Sequence, residues 1–202
     1  MPDQTVHYIF LGLLISMVAF AIILVVYYYH KQEDKHKKVL NYQKNKRNGE
    51  LSKGFLFSEP KLEFTHNGNK IKIDSVVGKT CFTIITVKLI YPTDKKMAIH
   101  KERYISKLGK AIGMQDIEIG FDEFDRKVIL KGSDENFIRQ IITFDIQDMI
   151  ISTLEKFRAS IYLNNDLLKI SFPDLFQDES SSDIIIDLTL NLVDKIREAS
   201  KF

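Results

Sequence analysis

Hydrophobicity along this chain changes its period four times. From Tyr8 to Tyr29 it is continuous: YIFLGLLISMVAFAIILVVYYY is 22 residues without a charge. At about 1.5 Å per residue a helix of that length spans roughly 33 Å, against a hydrocarbon core of about 30 Å. Lipid offers no partners to backbone amides and carbonyls, so the run predicts a membrane-spanning helix over 8–29. Tyr8 and the tyrosines at 27–29 suit the two interfaces, where amphipathic rings collect. A cleaved signal peptide fits less well. MPDQTVH carries no Lys or Arg, the run exceeds an ordinary signal core, and no small-x-small site precedes the charged flank.

Residues 30–54 are polar, with Val39, Leu40 and Tyr42 isolated among them. This predicts a helical continuation that fades into a basic linker near Asn48-Gly49. From residue 55 the pattern alternates. KLEF and KIKI flank Asn67-Gly68, which supplies the positive φ angles of a tight hairpin. TCFTIITVKLIY, over 80–91, is apolar on both phases and predicts a central strand ended by Pro92. MAIHKERY, IEIG and KVILKG predict further strands, with the glycine-punctuated KLGKAIGMQD as a connection.

The period then becomes helical. Ser133 is expected to cap a helix carrying Phe137, Ile138, Ile141 and Ile142, and Thr143 a second one carrying Ile146, Met149, Ile150, Leu154 and Phe157. ASIYLNNDLLKISF returns to alternation around a second hairpin at residues 164–166. A closing helix follows Ser180–Ser182, with Asp183 at its start and an apolar stripe of Ile185, Leu188, Leu192, Ile196 and Ala199. The expected fold class is therefore α+β: an N-terminal transmembrane helix, then a domain over 55–202 whose mainly antiparallel sheet is packed by helices that include the C-terminal one.

Charge adds an orientation. Residues 1–7 hold one Asp and no cation, whereas Lys31, Lys35, Lys37, Lys38, Lys44, Lys46 and Arg47 crowd the other flank. The positive-inside rule places residues 1–7 outside and the domain in the cytoplasm. The same seven cations are the candidate membrane-surface contacts, with the lipid bilayer as partner. A single cysteine, Cys81, leaves no intrachain disulfide framework. Within the domain, residues 49–115 hold 12 Lys/Arg against 6 Asp/Glu, and residues 116–202 hold 10 against 18. Two halves sharing one sheet would make this asymmetry an internal complementarity.

Candidate chemistry is sparse. Asp122, Glu123, Asp125, Asp134 and Glu135 lie within fourteen positions, but their spacing is not that of a calcium loop and Arg126 and Lys127 follow at once. They read as a turn entering the strand at 128–130 and as the acidic first turn of a helix. His66 falls in a turn, and His100 in a basic strand far in sequence from Cys81, so neither a zinc set nor a Cys–His pair is expected. Gly78-Lys79-Thr80 lacks the first glycine and the following helix of a phosphate loop. The basic segment Lys95, Lys96, Lys101, Arg103, Lys107, Lys110 has one stacking ring, Tyr104, so nucleic acid is not an expected partner. No catalytic residue, metal or cofactor is expected.

The stretch IGFDEFDRKVILKGSDENFIRQIIT, residues 119–143, resembles a pattern in a family of uncharacterised bacterial single-pass membrane-anchored proteins of unknown function. The matching positions are Phe124-Asp125, Gly132, Asp134-Glu135 and Ile142-Thr143; Ser133 is inserted and Ile142 stands where the pattern has Leu. The resemblance implies a membrane-tethered cytoplasmic module and assigns no activity. The expected role is a non-enzymatic interaction or scaffold module with a protein partner at the membrane, presenting an apolar patch on the C-terminal helix or on FPDLF at 172–176. The alternative is a tethered lipid- or small-ligand-binding domain.

Overall fold

The computed structural model describes residues 2–52, 60–76, 81–101 and 114–200, with side chains from Tyr8 onward except Tyr29. The expected domain start at Phe55, the Gly78-Lys79-Thr80 segment, the cations Arg103, Lys107 and Lys110 with Tyr104, and the connection through 107–113 lie outside these residues.

The first element is one helix, α1, Pro2–Arg47. Its apolar stretch is long enough to cross a membrane and none of it is buried in the protein. The helix continues past Tyr29 as far as Arg47. It runs on into the domain, and Val39 and Leu40, isolated in the linear pattern, are buried in the core. His36, Val39, Leu40, Gln43 and Arg47 stand at helical spacing, i, i+3, i+4, i+7 and i+11, so they form one narrow stripe facing the domain.

Among the described residues nine strands follow as a single sheet in the order β1-β2-β3-β4-β9-β8-β5-β7-β6, and every pairing is antiparallel. β1 is Glu50–Ser52, β2 Lys61–His66, β3 Asn69–Val76, β4 Phe82–Lys88 and β5 Lys96–Lys101. β6 is Gln115–Asp116, β7 Val128–Gly132, β8 Ser160–Asn164 and β9 Leu167–Pro173. β4 lies beside β9, so the basic and acidic halves of the chain share the sheet. Opposite charges of the two halves meet in the Lys95–Asp134 pair, and His66 of the first half bonds Asp194 of the second. The helices α3 Glu135–Ile141, α4 Phe144–Phe157 and α5 Glu179–Ala199 complete the domain. α5 packs on α4, on α3 and on the last turns of α1. Alternate residues of the central strands (Ile71, Ile73, Ile85, Val87, Ile170, Phe172) are buried in the core cluster that these helices share. The fold is α+β with a large antiparallel sheet and a packed C-terminal helix.

Several local expectations shift. The turn at 120–127 is a short helix, α2, Asp122–Lys127, because the Asp125 carboxylate accepts from the amides of Ile119 (2.9 Å) and Gly120 (2.8 Å) and folds the chain back. Asp134, not Ser133, caps α3: its carboxylate accepts the Phe137 amide at 3.0 Å, while the Ser133 hydroxyl accepts from the Lys96 amide. α5 begins four residues earlier than expected, at Glu179. Asp178 is its cap, accepting the Ser181 amide at 2.7 Å, and Asp183 is freed for another role. The strand expected at IEIG is displaced to Gln115–Asp116, with only the Ile117 amide still reaching Leu130. The expected apolar patch is absent from both named places. Phe172, Leu175 and Phe176 are buried, as is the apolar stripe of α5.

The β2–β3 hairpin turns through Asn67 and Gly68, both at positive φ (47° and 81°). That geometry matches the right-handed twist of the flanking strands. A Cβ on Gly68 would meet Ile90 Cδ1 at 2.5 Å, a flexible contact, so backbone strain sets the cost. Gly68→Ala is expected to lower stability by about 1–2 kcal/mol, read as a shift in the urea midpoint at unchanged slope.

Candidate functional site

The seam between α1 and the domain is the most specifically built polar region of the molecule. His36 is fully buried. Its Nδ1 accepts the Phe176 amide at 3.1 Å, which leaves Nε2 to donate to Ser75 Oγ at 2.7 Å. The ring stacks on Phe176 with centroids 5.8 Å apart. Burial, helped by the neighbouring Lys37 cation, lowers the imidazole pKa from its ordinary 6.5 to about 4. One neutral side chain thus ties α1 both to the end of β3 and to the β9–α5 loop.

Two turns further along α1 the seam is charged. Gln43 Nε2 donates to Ser182 Oγ and Asp183 Oδ1, both at 2.7 Å, and Tyr42 donates to Asp183 Oδ2 at 3.1 Å. Lys46 Nζ lies 2.7 Å from Asp183, and Arg47 pairs with Asp187. Burial works against the Asp183 carboxylate, and hydrogen bonds from Lys46, Gln43 and Tyr42 outweigh it, holding its pKa below the usual range. Ionised Asp183 is therefore the hub joining α1 to α5.

This arrangement divides the seven flank cations. Lys46 and Arg47 face α5, and Lys37 pairs with Glu33. Lys44 is exposed, but at about 1.5 Å per residue it lies roughly 22 Å beyond Tyr29 along the helix, more than two Debye lengths at physiological salt. Lys31, Lys35 and Lys38 are exposed, form no ion pair among the described residues, and lie nearest the apolar run.

Two open clefts meet at the same end of the domain. One, of about 550 Å³, is lined by Cys81, Phe157, Phe172, Leu175, Lys156 and Arg158, with Asp174, Gln177, Asp178 and Ser181 along its edge. The other, of about 510 Å³, is lined by Lys35, Lys38, Val39 and the residues 177–180. Gln177 and Asp178 stand between them. Asp178 is occupied by α5 capping and by the hydroxyls of Ser180 and Ser181. Asp174 accepts the Leu175 amide.

The other candidates are structural. Asp125 and Asp134 hold backbone amides, Glu123 pairs with Lys127 and Glu135 with Arg139. His66 bonds Asp194 at 3.0 Å. His100 is buried on β5, three strands from β4; at about 4.8 Å per strand, that puts it on the order of 14 Å from the strand Cys81 precedes. Among the described residues no group of three or more His, Cys, Asp or Glu is placed to hold a metal. The signal for the seam was present in the chain as the stripe at 36, 39, 40, 43 and 47. It is hard to see because only two of its five members are apolar.

The class these observations define is an α+β domain continuous with a long N-terminal helix. No protein-family model matches this chain, and no curated protein matches it. A solved structure shares the fold: the mycobacterial trehalose monomycolate transport factor A, TtfA, superposes with a TM-score of 0.59 at 8% identity, over 82% of this chain and 94% of that one.

Proposed function

We propose that this chain is a single-pass membrane protein with residues 1–7 outside and the α+β domain in the cytoplasm, acting as a rigid, non-enzymatic scaffold for a membrane assembly. One observation carries the reading: α1 passes without a break from its apolar stretch into the domain core through His36, Val39, Leu40 and Gln43. A flexible tether would let the domain wander; a helix built into the core fixes its height and its rotation. Orientation follows from the cation-rich flank. The resemblance of residues 119–143 to a membrane-anchored family agrees with the tether. A partner surface is available at Phe144, 63% exposed and edge-on to Phe121 at 5.5 Å.

The test is an insertion. Two alanines added after His30 turn the domain by about 200° about the helix axis without changing its surface. A membrane partner that copurifies in constant ratio with the full chain is expected to be lost from the insertion variant. A clean monomer from mild detergent, with no crosslinked neighbour, overturns the reading. A second reading, a tethered lipid- or small-ligand-binding domain, is supported by the 550 Å³ cleft with its phenylalanine floor and by the fold shared with a transport factor for trehalose monomycolate. It requires a lipid retained by the chain after gentle extraction, read by mass spectrometry.

A further inference from the structure

The end of the domain where the clefts open faces back along α1 toward its apolar run. β3 fixes the direction. Its first residues adjoin the hairpin bonded to Asp194 near the end of α5, and its last full turn of contacts includes Ser75, bonded to His36. α5 runs the same way as α1, since Asp183 meets Gln43 and Asp187 meets Arg47. β3 therefore runs opposite to α1, and Val76 lies beyond Ser75 on the side of Tyr29.

Val76 pairs with Phe82, and Phe82 with Pro173, so the three side chains form one cross-strand row on one face of the sheet. Val76 is 52% and Phe82 40% exposed. His36 stands seven residues past Tyr29, about 10 Å along the helix. One strand residue back brings the row to about 7 Å from the level of Tyr29. The headgroup layer on each side of a bilayer is about 5–7 Å deep. The apolar row thus meets the outer part of that layer.

Cations and carboxylates both line the clefts beside it: Lys35, Lys38, Lys156 and Arg158 with Asp174, Asp178 and Glu179, of which Asp178 is held by α5 capping and Asp174 by the Leu175 amide. Among the described residues Lys35 and Lys38 on α1 form no ion pair within 4 Å, nor do Lys156, which lies over the Phe157 ring, and Arg158 at the end of α4. Arg158 ends α4 at φ 53°, ψ 39°, a left-handed position that glycine occupies at least cost, and the chain carries a guanidinium there. Most cations elsewhere on the domain's helices are paired: Lys127, Arg139, Lys195 and Arg197 each meet a carboxylate.

We infer that this end of the domain is a second membrane contact, in which Phe82 and Val76 enter the headgroup layer and Lys35, Lys38, Lys156 and Arg158 hold the phosphates of anionic lipids at the cleft mouths. The inference rests on α1 crossing the bilayer, as proposed above. Its occupant is the leaflet that anchors the chain: the helix brings that surface to the row, and the unpaired charge complements it.

The chain has no tryptophan, so one can be introduced as a reporter. Full-length Phe82→Trp and, as the distant control, Phe144→Trp are placed in vesicles of phosphatidylcholine, with or without phosphatidylglycerol, containing a lipid with a nitroxide on its headgroup. Phe82→Trp is expected to be quenched and Phe144→Trp not, with the quenching stronger when phosphatidylglycerol is present. Adding Lys156→Gln and Arg158→Gly to Phe82→Trp is expected to cut the phosphatidylglycerol-dependent part by about half, since Lys35 and Lys38 remain. The glycine also relieves the left-handed backbone, so an unfolded variant does not explain that loss. Equal quenching at the two positions in a chain that resists alkaline extraction overturns the inference and leaves the anchor standing. Release of the chain by alkaline carbonate overturns the anchor and the inference together.

Discussion

A chain that begins at Lys31 is expected to fold as the full-length domain does, and a chain that begins at Asn48 is expected to melt at least 15 °C lower or to aggregate. The polar composition of residues 30–54 says the opposite, that both are a domain with a dispensable leader. The difference is the stripe on α1. Removing it uncovers the ground that Val39 and Leu40 bury, roughly 1.5–3 kcal/mol for each side chain, out of about 5–15 kcal/mol for a whole domain. It also strips the Phe176 amide and Ser75 hydroxyl of His36, and Asp183 of three of its donors. A domain of this size shifts by about 2–8 °C per kcal/mol, which makes the expected drop large. Leu40→Ala tests the same seam at one residue, with an expected loss of about 2–5 kcal/mol. Thermal melts of the two shortened chains decide the matter: equal midpoints would mean that α1 merely rests on the domain.

The sheet was legible because its signals are local. Asn67-Gly68 and the 164–166 turn each set a hairpin register within a few residues, and 82–88 is apolar on both phases because it lies among other strands. The apolar stripe of α5 was legible for the same reason. What was hidden depends on contacts distant in sequence. Val39 and Leu40 look stray until β2 and α5 supply their partners, and Asp183 looks like a helix start until Gln43 and Lys46 claim it. Competing caps were hidden as well. Ser133 and Asp134 are both good caps on propensity, and the Lys96 amide takes the serine, so the aspartate caps. The expectation of an exposed patch at FPDLF failed because Phe172 and Phe176 pack on Phe157 and His36. The candidate membrane contacts on α1 were legible as charge only. Charge cannot distinguish Lys35, which is free of ion pairs, from Lys46, which is bound to Asp183.

Acid is expected to loosen α1 from the domain through one residue. In the unfolded chain His36 titrates near 6.5; in the folded chain its pKa is about 4, because burial and Lys37 disfavour the imidazolium. Between those values the unfolded chain binds a proton that the folded chain does not, so stability falls as pH falls. The contribution is complete above about pH 6.5, declines through the interval and is fully lost near pH 4. Its size is on the order of 3 kcal/mol. Carboxylates held low, such as Asp134 and Asp178, act in the same direction but at lower pH, below their ordinary 3.8. His100, also lowered by burial and then by Lys131, likewise costs stability as pH falls below its ordinary 6.5, so the wild-type slope alone does not assign the effect. His36→Gln separates them. Glutamine keeps an acceptor for Phe176 and a donor for Ser75 without a titrating ring. Its cost at pH 7.5 is expected to be about 1–2 kcal/mol, from less well aligned hydrogen bonds. Toward pH 5 the gap is expected to close, because only the wild type is losing stability at that position. Parallel melting curves for the two chains from pH 7.5 to pH 5 would remove His36 as the source. If the gap closes, a proton at His36 weakens the hold of α1 on the domain, while Val39, Leu40 and the Asp183 contacts still join the two.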